Sequence, residues 1–121
     1  MKFGQHHYKP LIEGLTVKSS PVNGLGLHAT EEWKAAVYFG ETHVWNDRLG
    51  DWIRTPLGGF INHSDKPNCF ILTEVHTRKL FSVKPIKAGE ELTVYYTIGY
   101  DMYSTSYYII WYHVIVYQTM L

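Results

Sequence analysis

Residues 58–69 read Gly58-Gly-Phe-Ile-Asn-His-Ser-Asp-Lys-Pro-Asn-Cys69. An apolar pair, Phe60 and Ile61, runs straight into Asn62, His63 and Ser64, and a Pro-Asn turn follows before Cys69. Polar groups this close to a core-bound segment must find hydrogen-bond partners, either within the turn or in a ligand. The residues alone leave two readings open: a structural Asx-type turn with a satisfied buried histidine, or a loop that faces a ligand.

Two further stretches carry chemistry. Upstream, Ser20-Pro-Val-Asn-Gly-Leu-Gly-Leu-His-Ala29 places two glycines one residue apart beside a strand. Such glycines let backbone approach a ligand where a Cβ would clash, and they equally mark a hairpin or bulge. The third glycine and the following helix of a dinucleotide fingerprint are missing. Downstream, in Lys87-Ala-Gly-Glu-Glu-Leu-Thr-Val-Tyr-Tyr96, a turn at Ala88–Gly89 feeds a strand ending in two tyrosines. By themselves those tyrosines read as core or interface aromatics.

Around these stretches, short segments rich in Val, Ile, Thr, Tyr and Phe alternate with turn formers, which predicts a mainly β fold. The expected strands are Leu15–Lys18, Leu25–Ala29, Thr42–Trp45, Cys69–Val75, Lys79–Val83 and Leu92–Tyr96. Breaks are expected at Ser20–Gly24, Asn46–Asp51, Asn62–Asn68 and Pro85–Glu90, where Pro, Gly, Asn or Asp occur. Apolar spacing supports no amphipathic helix beyond about two turns, and Glu31–Ala36 is assigned one helical turn. Trp33-Lys34-Ala35-Ala36 and Ile86-Lys87-Ala88-Gly89 echo each other, but four positions do not separate duplication from coincidence.

Taken together and in order, the three stretches resemble the signature motifs of the SET domain family of protein-lysine methyltransferases. The family shows a Gly-x-Gly strand, then Arg-Phe-Ile-Asn-His-Ser-x-x-Pro-Asn-Cys, then Gly-Glu-Glu-Leu-Thr-x-Asp-Tyr. Here these read Gly24-Leu25-Gly26, Phe60 to Cys69, and Gly89 to Tyr96. The resemblance spans about Leu15 to Tyr96, and the compact size looks like the stripped-down SET proteins of viruses, phages and some bacteria. It implies a mainly β, β-clip-like fold of small sheets with a C-terminal pseudoknot, and methyl transfer from S-adenosyl-L-methionine to the side-chain amine of a protein lysine. It further implies Tyr96 as the catalytic tyrosine. Gly24, Leu25, Gly26, Asn62 and His63 become cofactor-binding residues, and Tyr100 (or Tyr103) is placed near the adenine. Two departures stand out: Gly59 occupies the usual arginine position and Tyr95 the usual aspartate. In many relatives the cysteine after Pro-Asn joins a cysteine-rich segment to hold zinc. Cys69 is the single cysteine here, so no such site and no intramolecular disulfide are expected.

A chain of 121 residues is read as one domain, with an N-terminal extension at 1–14, the SET domain at 15–100 and an aromatic C-terminal segment at 101–121 that packs on the domain or on a partner subunit. Eleven basic residues balance eleven acidic ones, which, with no phosphate loop, argues against a direct nucleic-acid partner. Tyr107 to Leu121 is apolar but falls short of a membrane span and contains His113 and Gln118, so a buried strand or a homodimer contact is the expectation. Met1 to Pro10 holds no apolar signal, and a cytoplasmic location, or a host-intracellular one for a viral protein, is expected. Two other readings compete: a non-catalytic SET-like peptide- or cofactor-binding module, and a metal triad using His63, Asp65 and His76 or His113.

Overall fold

The computed structural model describes residues 10–22 and 24–95. Strand β1 (Leu15–Ser19) pairs antiparallel with β2 (Leu25–Ala29), Leu15 opposite Ala29 and Ser19 opposite Leu25. Ser20 N donates to Gly24 O at 2.8 Å to close the turn, and Gly24 takes a φ of 49°. Next, β3 (Tyr38–Asn46), β4 (Asp51–Arg54), β6 (Cys69–Thr73) and β7 (Thr77–Ser82) build a four-stranded antiparallel sheet in the order β4-β3-β7-β6. Between β4 and β6 come a one-turn helix, α1 (Pro56–Gly59), and the two-residue strand β5 (Asn62–His63). The last strand, β8 (Thr93–Val94), pairs in parallel with β5, Asn62 opposite Thr93 and His63 opposite Val94.

The mainly β expectation holds, and several local expectations need correction. Leu25–Ala29 forms as read, whereas the segment expected at Thr42–Trp45 extends to Tyr38–Asn46 because β7 provides a partner along most of it. Asp51–Arg54, whose first residue falls in an expected break, is a strand, because β3 supplies its ladder. The Cys69 strand stops at Thr73, where Glu74 N turns to donate to Thr77 O. α1 is a local device invisible to apolar spacing. Thr55 caps it by accepting from Gly58 N, and Pro56 fits its first turn. A Cβ on Gly58 would collide with the Thr42 backbone, so this helix lies flush against β3.

Glu31–Ala36 is not helical. Trp33 instead forms an isolated bridge with Ile86, with N to O distances of 2.8 and 2.9 Å in the two directions. Its indole donates to Gly14 O and meets Phe39 edge-on at 5.1 Å. The four-residue echo is therefore physical. Ala36 N donates to Ser82 O as Gly89 N donates to Ala29 O, and Ser82 N donates to Val37 O as Ala29 N donates to Glu90 O. The two turns clasp each other through these reciprocal bonds, each with a left-handed residue, Ala36 at φ 63° and Gly89 at φ 91°.

Leu27, Phe39, Ile71, Leu80, Ile86 and Leu92 form the centre of the core, contributed by both turn units and the large sheet. Cys69 belongs to it; burial pushes its thiol far above the usual range, so it packs as a neutral apolar group. His43 is buried on β3, and burial first, then the charges of Arg78 and Arg54, push it down to about 4. Arg78 lies 4.3 Å over the Trp52 ring, which Trp45 meets edge-on at 5.5 Å. Among the described residues no helix is long and apolar enough to cross a membrane.

Two measurements check this description. In chemical denaturation, Ala36→Gly is expected to stabilise the protein and Gly89→Ala to destabilise it, each by about 1 kcal/mol, because an L side chain is strained at positive φ. Acid is expected to weaken the fold through His43. The unfolded imidazole binds its proton near pH 6.5 and the folded one only near 4, so this contribution is complete above the first value. It is lost as pH falls across that window, with a slope approaching about 1.4 kcal/mol per unit, and His43→Gln flattens the dependence.

Candidate active site

The parallel pairing of β5 with β8 brings the second and third signature stretches side by side, and β2 lies against the same seam. Leu92 N donates to Leu27 O at 2.8 Å, and His28 bridges Glu91. Along the extended chain the two glutamates point to opposite sides. Glu90 turns back on its own loop, accepting from Lys87 N at 3.1 Å. Glu91 reaches inward to β2 and β5.

There its carboxylate accepts from Ser20 Oγ on Oε1 and from Asn62 Nδ2 on Oε2, both at 2.7 Å. Asn62 Nδ2 also donates to Leu25 O at 3.1 Å. With both amide hydrogens used, the Asn62 side chain has one orientation, and its Oδ1 is turned to the other edge. Gly26 is required at this point because a Cβ there would overlap the Glu91 carboxylate. The close approach inferred for the glycine pair is thus made by Glu91 at Gly26, while around Gly24 the space a Cβ would enter is open. Leu25 between them is about half exposed, at 52%.

His63 is set by its strand neighbours. Ser64 N donates to Val94 O, the imidazole Nε2 lies 3.1 Å from Asp65 Oδ1, and the ring stands 4.9 Å from that of Tyr95. Tyr95, in the position of the family's aspartate, therefore sets a second ring beside His63, tilted by 55°. Asn68 ties the seam from below. Its Nδ2 donates to Glu91 O at 2.8 Å, its Oδ1 accepts from Thr93 N at 2.9 Å, and its own carbonyl accepts from Val83 N.

Gly24, Leu25, Gly26, Asn62 and His63 are accordingly gathered along one seam. Tyr96, Tyr100 and Tyr103 lie outside the described residues, as does the 101–121 segment. Ser20, Asn68 and Glu91 were not singled out from sequence. The available signal was strand alternation, which separates Glu91 from Glu90, together with the paired side-chain functions of Asn68. Among the described residues, no three His, Cys, Asp or Glu side chains converge as a metal site. The large cavity of about 650 Å³ around Glu41, Glu74 and His76 shares no residue with the seam.

Asn68→Ala is expected to cost about 2–3 kcal/mol in denaturant unfolding. It removes two hydrogen bonds and strands the Thr93 N–H and the Glu91 carbonyl in a site where Asn68 itself is only 5% exposed.

Comparisons with known proteins agree with this geometry. Residues 37–97 match the model of the SET domain family. Among solved structures, the methyltransferase domain of human PR domain-containing protein 2 superposes with a TM-score of 0.58 at 22% identity, covering 72% of this chain and 79% of that one. A Plasmodium falciparum protein assigned as a histone methyltransferase gives 0.54 at 18% identity, covering 71% and 95%. A humanized mutant of the Chaetomium thermophilum Polycomb Repressive Complex 2, bound to an inhibitor, gives 0.53 at 22%, covering 68% of this chain and only 14% of that one. A comparison with curated protein sequences gives no match. With the family model spanning half the chain and the same motifs meeting at one seam, the protein belongs to the SET domain family.

Proposed function

We propose that the protein transfers a methyl group from S-adenosylmethionine to the side-chain amine of a lysine in a protein or peptide. The observation that carries this reading is the seam itself: Asn62 and His63 on β5 lie against β8, with the Gly24–Gly26 backbone alongside and Tyr96 directly following Tyr95 in the chain. The residues present fit such a cofactor. A locked amide beside a carboxylate suits the ammonium group of a zwitterionic amino-acid end. The open space at Gly24 admits close approach, and Leu25 with the His63–Tyr95 ring pair offers apolar faces to a nucleoside.

When bound, S-adenosylmethionine supplies a methyl group on a cationic sulfur. Asn62 would hold the amino-acid end through its side-chain amide, and the Gly24–Gly26 backbone the methionine portion. His63 and, as the family resemblance implies, Tyr100 would contribute to the nucleoside side. A lysine amine must be neutral to accept the methyl group. Its ordinary value near 10.4 makes deprotonation at neutral pH cost roughly 4 kcal/mol. Removal from water and a nearby positive charge both lower that cost. Tyr96 is the residue that would orient the amine, which gives its proton to solvent beforehand and then would take the methyl group as the carbon–sulfur bond breaks and S-adenosylhomocysteine leaves. Gly59 and Tyr95 stand where the family has arginine and aspartate, and the sequence retains Asn62, His63 and Tyr96.

Incubation of the full chain with methyl-labelled S-adenosylmethionine and a pool of histones and lysate proteins is expected to label lysines. Tyr96→Phe is expected to lower the rate by about 10²-fold or more. Cofactor binding without label on any protein in the pool would instead favour a non-catalytic SET-like module, and absence of binding would sink both readings.

A further inference from the structure

The four-stranded sheet turns one face to the core and leaves the other open among the described residues. Along β7, alternation puts Leu80 and Ser82 inward, where both are fully buried, and Thr77, Lys79 and Phe81 outward. The register then fixes their neighbours on the outward face: Tyr38 opposite Phe81, Glu41 and Leu72 opposite Lys79, and Val44 between Thr77 and Ile53. The solvent face of an antiparallel sheet is ordinarily polar. This one carries two apolar areas, Tyr38 with Phe81 at one end, ring centroids 5.2 Å apart, and Val44 with Ile53 at the other. Between them runs a charged band, in which Lys79 Nζ lies 3.3 Å from the Glu74 carboxylate and Lys79 pairs with Glu41 across the ladder. Tyr38, Val44 and Ile53 are 46, 38 and 44% exposed, so the described residues leave both apolar areas in contact with water.

A segment of the same chain has the matching composition. Residues 107–121, which lie outside the described residues, contain no Asp, Glu, Lys or Arg. A charge-free run of aromatic and β-branched residues associates with other chains when left in water, so it needs a cover. Tyrosines apart, His113 is the one polar residue between Tyr107 and Tyr117, and it divides two apolar runs as the Lys79 band divides the sheet face. The intervening residues 96–106 span up to about 36 Å when extended, roughly three times the radius of gyration of a folded unit this size. A tether this short holds the segment at an effective concentration on the order of a millimolar, which favours its own sheet over a second copy. We infer that residues 107–121 dock on the outward face of the four-stranded sheet of their own chain, their two apolar runs on the Tyr38–Phe81 and Val44–Ile53 areas. This inference is independent of the methyl-transfer reading, because the face shares no residue with the seam.

The test is photo-crosslinking in the full chain, with p-benzoylphenylalanine replacing Tyr38, Ile53 or, as a control on the seam side, the exposed Val22. Thermal melting establishes that each protein is folded. After irradiation and digestion, mass spectrometry is expected to join positions 38 and 53 to peptides from 107–121 in material of monomer mass, with no such link from position 22. Links in material of dimer mass give the face to a second copy, and links from position 22 in place of 38 and 53 put the segment at the seam. Absence of any link to 107–121 leaves the face without this occupant. Each of these three results overturns the inference. Hydrogen exchange supplies a second reading. Ile53→Lys sets a charge under the docked segment and is expected to speed exchange of the 107–121 amides about tenfold. The Leu92 amide, which donates to Leu27 O at the seam, is expected to keep its protection. Unchanged exchange in 107–121 overturns the docking even where cross-links form.

Discussion

Asn68 donates to the Glu91 carbonyl and accepts from Thr93 N, and with those two bonds it fastens the segment after Asn62-His63-Ser64 to the strand that carries Glu91. Neither β5 nor β8 has more than two residues in its ladder, so their parallel pairing has little strength of its own. A buried amide satisfying one donor and one acceptor on the opposing strand holds that pairing in register. Everything the seam offers to a ligand follows from that register. A slip of one residue would turn Asn62 and Glu91 to the wrong faces and separate the amide from the carboxylate.

The second constraint is the mutual clasp of the Trp33 and Ile86 turns. Each turn returns its chain to the strand preceding the other, so the pair is closed by reciprocal backbone bonds and not by either turn alone. Leu27 and Leu92 are packed across this junction, and Phe39 and Leu80 continue the same core into the four-stranded sheet. The site is therefore mounted where two like units meet. β2 comes from the first and β8 from the second, which explains why a chain this short can set Gly26, Asn62 and Glu91 within hydrogen-bond reach despite their separation in sequence.

Polar side chains in this seam work as scaffolding for one another before any ligand is considered. Ser20, Glu91 and Asn62 form a chain of donors and acceptors in which each position leaves the next a single orientation. Such preorganisation lets a site present a fixed pattern of charge without reorganising when a ligand arrives. His63 is steadied in the same manner, between Asp65 and the Tyr95 ring.

The amino-acid sequence by itself determined the mainly β character, the strand at Leu25–Ala29 and the identity of the residues around Asn62 and His63, because residue type, turn chemistry and motif order are local properties. It did not determine β4, whose Asp51–Arg54 run becomes a strand only against β3, nor the fate of Glu31–Ala36, where a bridge to Ile86 prevails over a helical turn. The echo between the two turns was visible in four letters, but its meaning lay in hydrogen bonds between segments far apart in the chain. Glu91 is the clearest case. In the sequence it is one of two adjacent acids. The tertiary fold alone places one of them against bare Gly26 and the Asn62 amide, because long-range pairing decides which side of a strand meets which neighbour.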